Sequence, residues 1–322
     1  MQRLLHWFPR MIMLAVIAFT LCNIFFLLHV SEKTFVLSSI PKQYNGYKIA
    51  HINNLENSPG QAVSKARGEK PDAIVVTGNL SNSNGKYNSS VSALNKLAKI
   101  APTYYVLGPN DSIDIVNQVN GAEYIGGKST TLTIDDSIDA MKYIEETYGK
   151  KMIKLINEGD ERALAYKAYT EEKLAKDMAL KVNLVGITNY STAEEVDAEL
   201  MNIYKEGVGN INIGLVGSTN FYETIKDYDM NLLLSGITDG SSYCDKKEYV
   251  MDGTTLLVSN GIHGKEPNNI HLITLSDGSV SEKNILEKFL GLFISDVDTI
   301  FENDGGFKEH TYEFKDEGHK HF

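Results

Sequence analysis

Tyr47-Lys48-Ile49-Ala50-His51-Ile52, Ala73-Ile74-Val75-Val76-Thr77 and Tyr104-Tyr105-Val106-Leu107 are three short apolar runs, each closed by a polar turn. The turns read Asn53-Asn54-Leu55-Glu56-Asn57, Gly78-Asn79-Leu80 and Gly108-Pro109-Asn110-Asp111. Short runs rich in β-branched and aromatic residues, bounded by Gly, Asn and Pro, are the pattern of buried strands. Between them, residues 61–68 and 91–100 carry apolar side chains at helical spacing, and Pro102 stops the second of these helices. The predicted order is strand, helix, strand, helix, strand. A parallel α/β sheet of this kind places its chemistry in the turns beyond the carboxyl ends of its strands.

Outward from this stretch, strand character returns at residues 129–134, 181–187, 210–216, 230–235, 254–259 and 270–275, which predicts roughly nine strands in all. From Ser112 a short helix carries Ile113, Val116 and Val119. Residues 137–180 differ: Ile138, Met141, Tyr148, Met152 and Leu155, then Leu164, Ala168, Leu174 and Met178, keep a helical period, with Gly149 and Gly159 as breaks. This predicts two or three amphipathic helices inserted into the domain. The ordinary role of such an insert is surface packing; a lid or a partner-docking face is the sharper alternative. An amphipathic helix built on Ile285, Phe289, Leu292 and Phe293 is predicted for 281–295, and 296–322 is a polar tail holding His310, His319 and His321.

At the other end, residues 11–30 contain no Asp, Glu, Lys or Arg. A helix of about twenty apolar residues spans a hydrocarbon layer of roughly 30 Å, so a single transmembrane helix is predicted there. No small-x-small pattern closes the run as a signal peptide would require, and Leu21 before Cys22 with Asn23-Ile24 after it makes a poor lipoprotein site. Arg3 and Arg10 precede the run while Glu32 and Lys33 after it cancel, which puts residues 1–10 in the cytoplasm. The expectation is a single-pass protein of the cell membrane, with residues 31–46 as a tether and an extracytoplasmic domain over 47–295. The net charge of −11 with no basic cluster excludes a nucleic-acid partner. Cys22 lies in the apolar run and Cys244 stands alone in the domain, so no disulfide within the domain is available.

Two later segments complete the pattern. Asn212-Ile213-Gly214-Leu215-Val216-Gly217 and Leu234-Ser235-Gly236-Ile237-Thr238-Asp239-Gly240 are strands running into polar turns, and Ser259-Asn260-Gly261-Ile262 is a third such strand end. Taken in order with the three early turns, these resemble the calcineurin-like metallophosphoesterases over residues 47–275. The resemblance implies a mixed α/β (α+β) fold, a four-layer αββα sandwich with a helical insertion, here preceded by the transmembrane helix. It also implies a centre of two divalent cations that polarise a phosphoryl group and generate a hydroxide at neutral pH.

In that family the early turns read Ser-Asp-Leu-His, Gly-Asp and Gly-Asn-His-Glu or Gly-Asn-His-Asp, and a later one reads Ser-Gly-His-Thr-His-Gly. Carried over position by position, Asn54 stands for the first Asp, Glu56 for its His, and Asn79 for the Asp that bridges both cations. Pro109 and Asn110 replace the Asn and His of the third turn. Gly217 replaces a ligand His, and Ile237 and Asp239 replace the two of the His-Thr-His. Gly78, Gly108, Asp111, Gly236, Thr238 and Gly240 keep the frame. With every imidazole gone and no shared carboxylate, the expectation is no catalytic residue and no bound di-metal pair, Asn110 and Asp111 being vestigial. The protein then acts as a pseudoenzyme that binds a partner or ligand of unstated identity.

The residues leave one alternative. Glu56, Asp239, Asn54 and Asn79 form an all-oxygen set of the kind that hard cations accept, so a single Ca²⁺ or Mg²⁺ ion, or two divalent metals in an active phosphoesterase, remains open. Against that stands the common finding that such groups cap strand ends and bond one another in a solvated cleft. His51 reads as a core histidine on the first strand, and His263 as a loop residue able to face the cleft. Ser218 and Ser235 lack the partners of a serine hydrolase, and no Walker loop or dinucleotide fingerprint occurs.

Overall fold

Alternation along the strands sorts the apolar side chains into separate layers. In β2 (Lys48–Ile52) Ala50 and Ile52 join one buried cluster while Ile49 joins another, and β3 (Ala73–Thr77) divides the same way between Ile74 and Val76 on one face and Ala73 and Val75 on the other. The computed structural model describes residues 11–17, 29–134, 140–188, 192–206, 209, 211–236, 248–251, 253–259 and 269–278.

Within them lie two six-stranded sheets. The first has the order β1-β12-β2-β3-β4-β5, with β1 (His29–Val36), β4 (Thr103–Val106), β5 (Glu123–Tyr124) and β12 (Asn269–Ser276). The second runs β10-β11-β9-β8-β7-β6, from β6 (Lys128–Thr131), β7 (Val182–Ile187), β8 (Ile211–Val216) and β9 (Leu232–Gly236) to β10 (Glu248–Met251) and β11 (Thr254–Ser259). β2, β3, β4 and β5 are mutually parallel, as are β7, β8, β9 and β11.

Helices α1 (Pro59–Glu69) and α2 (Asn88–Leu97) cover the outer face of the first sheet through Ala62, Val63, Ala66, Val91, Leu94 and Leu97. The inner faces of the two sheets meet in a buried apolar layer in which Ile49, Val75 and Val106 join Leu184, Ile213 and Leu234. Burying such side chains fully contributes about 1.5–3 kcal/mol each. The outer face of the second sheet is covered by α6 (Ala193–Glu206) and α7 (Tyr222–Ile225), through Val196, Leu200, Ile203, Tyr222 and Ile225. The result is a mixed α/β sandwich of four layers, αββα.

A second compact unit occupies Ser137–Lys176 in the sequence. Helices α3 (Ala140–Tyr148), α4 (Lys150–Glu158) and α5 (Glu161–Ala179) pack around Ile144, Met152, Ile156, Ala163 and Tyr166. Gly149 and Gly159 flank α4, each at positive φ, which only glycine adopts freely.

Two expectations about the N-terminal region need correction. Residues 31–46 are no tether: Ser31 to Val36 continue β1, whose backbone pairs with β12 from His29↔Asn269 to Val36↔Ser276, and Ile40 and Tyr44 are buried in the inter-sheet layer. The polar Ser31-Glu32-Lys33-Thr34 run reads as a linker because β1 is an edge strand with only part of its surface covered. The predicted transmembrane span of 11–30 also runs too far, since His29 and Val30 already belong to the sheet. Residues 11–17 are helical and exposed, and 18–28 lie outside the described residues; among those described, no helix is long and apolar enough to cross a membrane. The strands β5 and β10 were not anticipated, β5 because Glu123 and Tyr124 give too short a run to show a period. The predicted helix at 281–295 and the tail at 296–322 lie outside the described residues.

Candidate functional site

The polar turns sit at the carboxyl ends of both sheets, and the structure brings them together. Left-handed backbone makes the turns possible: Gly78 has φ +79°, and Asn54 and Asn79 have φ 55° and 53°. Asparagine tolerates this region better than other side chains. Gly78 is required on a second ground, because a Cβ there would lie 2.6 Å from Gly108 Cα in the neighbouring turn.

At the centre, Asn79 Nδ2 donates to Asn54 Oδ1. These two positions are where the resemblance places the first Asp of the family's pattern and the Asp that both cations share. Two carboxylates there would repel without a cation; two amides satisfy each other. Asp111 is occupied otherwise. Its Oδ1 accepts from Leu80 N–H at 2.7 Å and Ser81 N–H at 2.8 Å, and its Oδ2 accepts from Gly108 N–H at 2.8 Å. Burial raises its pKa from the ordinary value, while these amides act in the opposite direction. Asp111 thus ties the second and third turns together.

Glu56 is half-buried beside this group, its backbone N–H donating to Asn79 O at 3.4 Å. Oε1 accepts from Asn57 Nδ2 at 3.2 Å, and Oε2 is buried with no hydrogen-bond partner among the described residues. Burial, with a smaller contribution from the charge of Asp111, pushes its carboxyl pKa up to about 7. Pro109 and Asn110 are exposed at the rim of the third turn.

The second sheet closes the floor. Gly217 stands beyond β8, and a Cβ on it would run into the carbonyl oxygen of Leu107 and come 2.7 Å from Gly108 Cα. The position therefore lacks a donor, and the backbone of the first sheet occupies the space that any side chain would need. Gly236, at the end of β9, lies so close to Asn53 that a Cβ would overlap its side chain. Ile237 and Asp239, like His263, lie outside the described residues. Ser218 Oγ accepts from Asn220 N–H and Ser235 Oγ donates to Gly236 O, so both serve the backbone.

Two groups gain importance only from the structure. Asn53 is fully buried, and its Nδ2 donates to Ser259 O at 3.4 Å, bridging the sheets at the crevice floor; its Oδ1 has no partner among the described residues. The available signal was its position two residues after His51 on the inward-facing alternation. His51 and His271 form the layer below. Their rings stack with centroids 6.2 Å apart, and His51 Nε2 lies 2.7 Å from Thr77 Oγ1 in a hydrogen bond. Burial first, and the neighbouring His271 second, hold the His51 pKa well below its ordinary value, so it is a neutral core residue.

These donors do not fit a pair of divalent cations. The Asn54 and Asn79 amides bond one another, three backbone amides hold Asp111, Gly217 admits no side chain, and the acceptors left over among the described residues of the crevice are Glu56 Oε2 and the neutral Asn53 Oδ1. Among the described residues no three His, Cys, Asp or Glu side chains are grouped to hold a metal ion.

No family model and no curated protein matches this chain. Among solved structures, it is similar to TT1561 of Thermus thermophilus, with a TM-score of 0.43 and 12% identity over 67% of this chain and 90% of that one. It is also similar to a dimetal phosphatase from Danio rerio, with a TM-score of 0.32 and 7% identity over 68% and 88% of the two chains. At these scores neither likeness bears on the chemistry of the site.

Proposed function

We propose that the chain is a membrane-anchored pseudoenzyme: a domain on the calcineurin-like metallophosphoesterase frame, held outside the membrane by the apolar residues 11–28, that binds a ligand or partner without hydrolysing a phosphoester. The observation that carries this reading is the direct Asn54–Asn79 amide contact at the position of a shared metal carboxylate. An amide oxygen carries no formal charge and cannot hold two cations close together, and that of Asn54 already accepts from Asn79 Nδ2. The order of the turns supports the frame, while function resides in the site and not in the scaffold.

The test uses the full-length protein purified in detergent. Metal content by plasma mass spectrometry and hydrolysis of bis(p-nitrophenyl) phosphate with added Mn²⁺ are measured together. Sub-stoichiometric metal and no turnover above a protein-free blank are expected. Two equivalents of a divalent metal with turnover overturn the proposal.

One observation favours a second reading, a single hard cation held at Glu56 with Asp239. The buried, unpartnered Glu56 Oε2 is an acceptor that a cation would satisfy. On this reading Glu56→Ala and Asp239→Ala abolish ion binding and activity together; on the first, neither changes more than stability.

A further inference from the structure

We infer that the strand-end crevice faces the bilayer, so that the partner of this face is the phospholipid headgroup layer. This rests on the membrane anchor proposed above and adds an orientation that the anchor alone does not give.

The orientation follows from strand register. β12 runs antiparallel to β2 with His271 opposite His51, so its first residue, Asn269, is level with Asn53 at the carboxyl end of β2. β1 runs parallel to β12 and starts with His29 opposite Asn269. The chain therefore enters the first sheet at the end where the turns 53–57, 78–81 and 108–111 gather. Laterally the distance is small: β1 lies two strands from β2, and strands are about 4.8 Å apart, which sets the entry point about 10 Å from Asn53. In the sequence, β1 begins at His29, directly after the apolar segment. A domain joined to a membrane helix this closely cannot turn its far end to the bilayer without breaking β1 pairing.

The surface at that end suits the position. On a chain of net charge −11, the turns 53–60, 78–90 and 108–114 carry three acids, Glu56, Asp111 and Asp114, and one base, Lys86, and Asp111 is held by three backbone amides. Their exposed residues are chiefly amides and hydroxyls, among them Asn57, Asn82 and Asn84. Side-chain amides and hydroxyls of this kind donate hydrogen bonds that headgroup phosphate and ester oxygens accept. Just past Asp111, Ile113 is 61% exposed, an apolar side chain presented at the same end. The opposite end carries Lys70 and Lys99, both exposed, in the loops that lead into β3 and β4.

Site-directed photocrosslinking tests this on the full chain. p-Benzoylphenylalanine replaces Asn57, Asn84, Lys70 or Lys99 in turn, and each variant is reconstituted in vesicles of phosphatidylethanolamine and phosphatidylglycerol containing tritiated lipid. Lipid adducts at Asn57 and Asn84, and none at Lys70 and Lys99, are expected. Adducts confined to Lys70 and Lys99, equal at all four, or absent from all four overturn the inference. Carbonate extraction of the same membranes separates the two levels: protein released by carbonate removes the anchor and the orientation with it, whereas protein retained without adducts at Asn57 and Asn84 removes the orientation alone. The metal and turnover measurements above are independent of both.

Discussion

Asn79→Asp is the most direct probe of the amide pair. The substitution keeps shape and suits the left-handed backbone at φ 53°, so any effect comes from exchanging Nδ2 for an oxygen. The wild-type donor to Asn54 Oδ1 disappears and two acceptors face each other. Losing a neutral hydrogen bond costs about 1 kcal/mol, and leaving a buried acceptor unpaired costs about 1–3 kcal/mol. The new carboxylate also meets existing charge. Asn79 Oδ1 and Asp111 Oδ2 lie 3.2 and 3.3 Å from one common point, the place a Gly108 Cβ would take, so they are separated by no more than those two distances together. At about 6 Å and an effective dielectric of about 20, two carboxylates repel by roughly 3 kcal/mol. Together these give roughly 5–7 kcal/mol at pH 8, or a fall in Tm on the order of 10–20 °C. A carboxyl raised by such surroundings protonates earlier in the folded than in the unfolded state, so the penalty shrinks as pH falls; the protonated acid also donates to Asn54 again. Thermal melts of wild type and variant in EDTA at pH 8 and pH 5 read the difference. Equal stability at pH 8 would refute the amide contact as the centre of the site.

Gly217→Ala drives a methyl into the Leu107 carbonyl and Gly108 Cα across the sheets, and overpacking of this kind costs about 1–3 kcal/mol; urea titration of the variant should show the midpoint falling with its slope unchanged. Gly68→Ala, near the end of α1 with nothing within 4 Å of its would-be Cβ, should instead stabilise by about 0.5–1 kcal/mol through helix propensity, seen as a rise in Tm. Glu56 has a folded pKa pushed up to about 7 from 4.5, so the unfolded state loses its proton first and stability is lost as pH rises from 4.5 to 7; Glu56→Gln should gain on wild type across that window in paired melts and match its slope elsewhere. His51 is depressed instead: the unfolded chain takes up a proton as pH falls below the ordinary 6.5 while the folded core stays neutral, so stability present at pH 7 is lost on acidification, and His51→Gln should flatten that acid limb of the Tm profile.

Much of the layout was legible in the chain itself. The short apolar runs at 47–52, 73–77 and 104–107, the helical spacing through 91–100 and the glycine breaks at 149 and 159 are local signals, and the strands and helices stand where these put them. The turns carrying Asn54, Asn79 and Asp111 were found as the candidate site for the same reason, since strand ends are marked by composition. What escaped was long-range. β1 looks like a polar linker because an edge strand is half exposed, and only its pairing with β12, near the far end of the described chain, gives it structure. Asn53 looked like one turn residue among several until Ser259 and Gly236 arrived beside it.

By itself, the sequence determined that the strand-end turns carry amides, glycine and isoleucine where the resemblance implies imidazoles and carboxylates, because side-chain identity is a property of the chain alone. Tertiary structure decided what those residues do to one another. Whether Asn54 and Asn79 bond, whether Gly217 has room for a side chain, and at which end β1 enters the sheet depend on the register of strands distant in sequence. Hydrophobic period leaves that register open, and it is fixed only when both faces of each sheet are buried together.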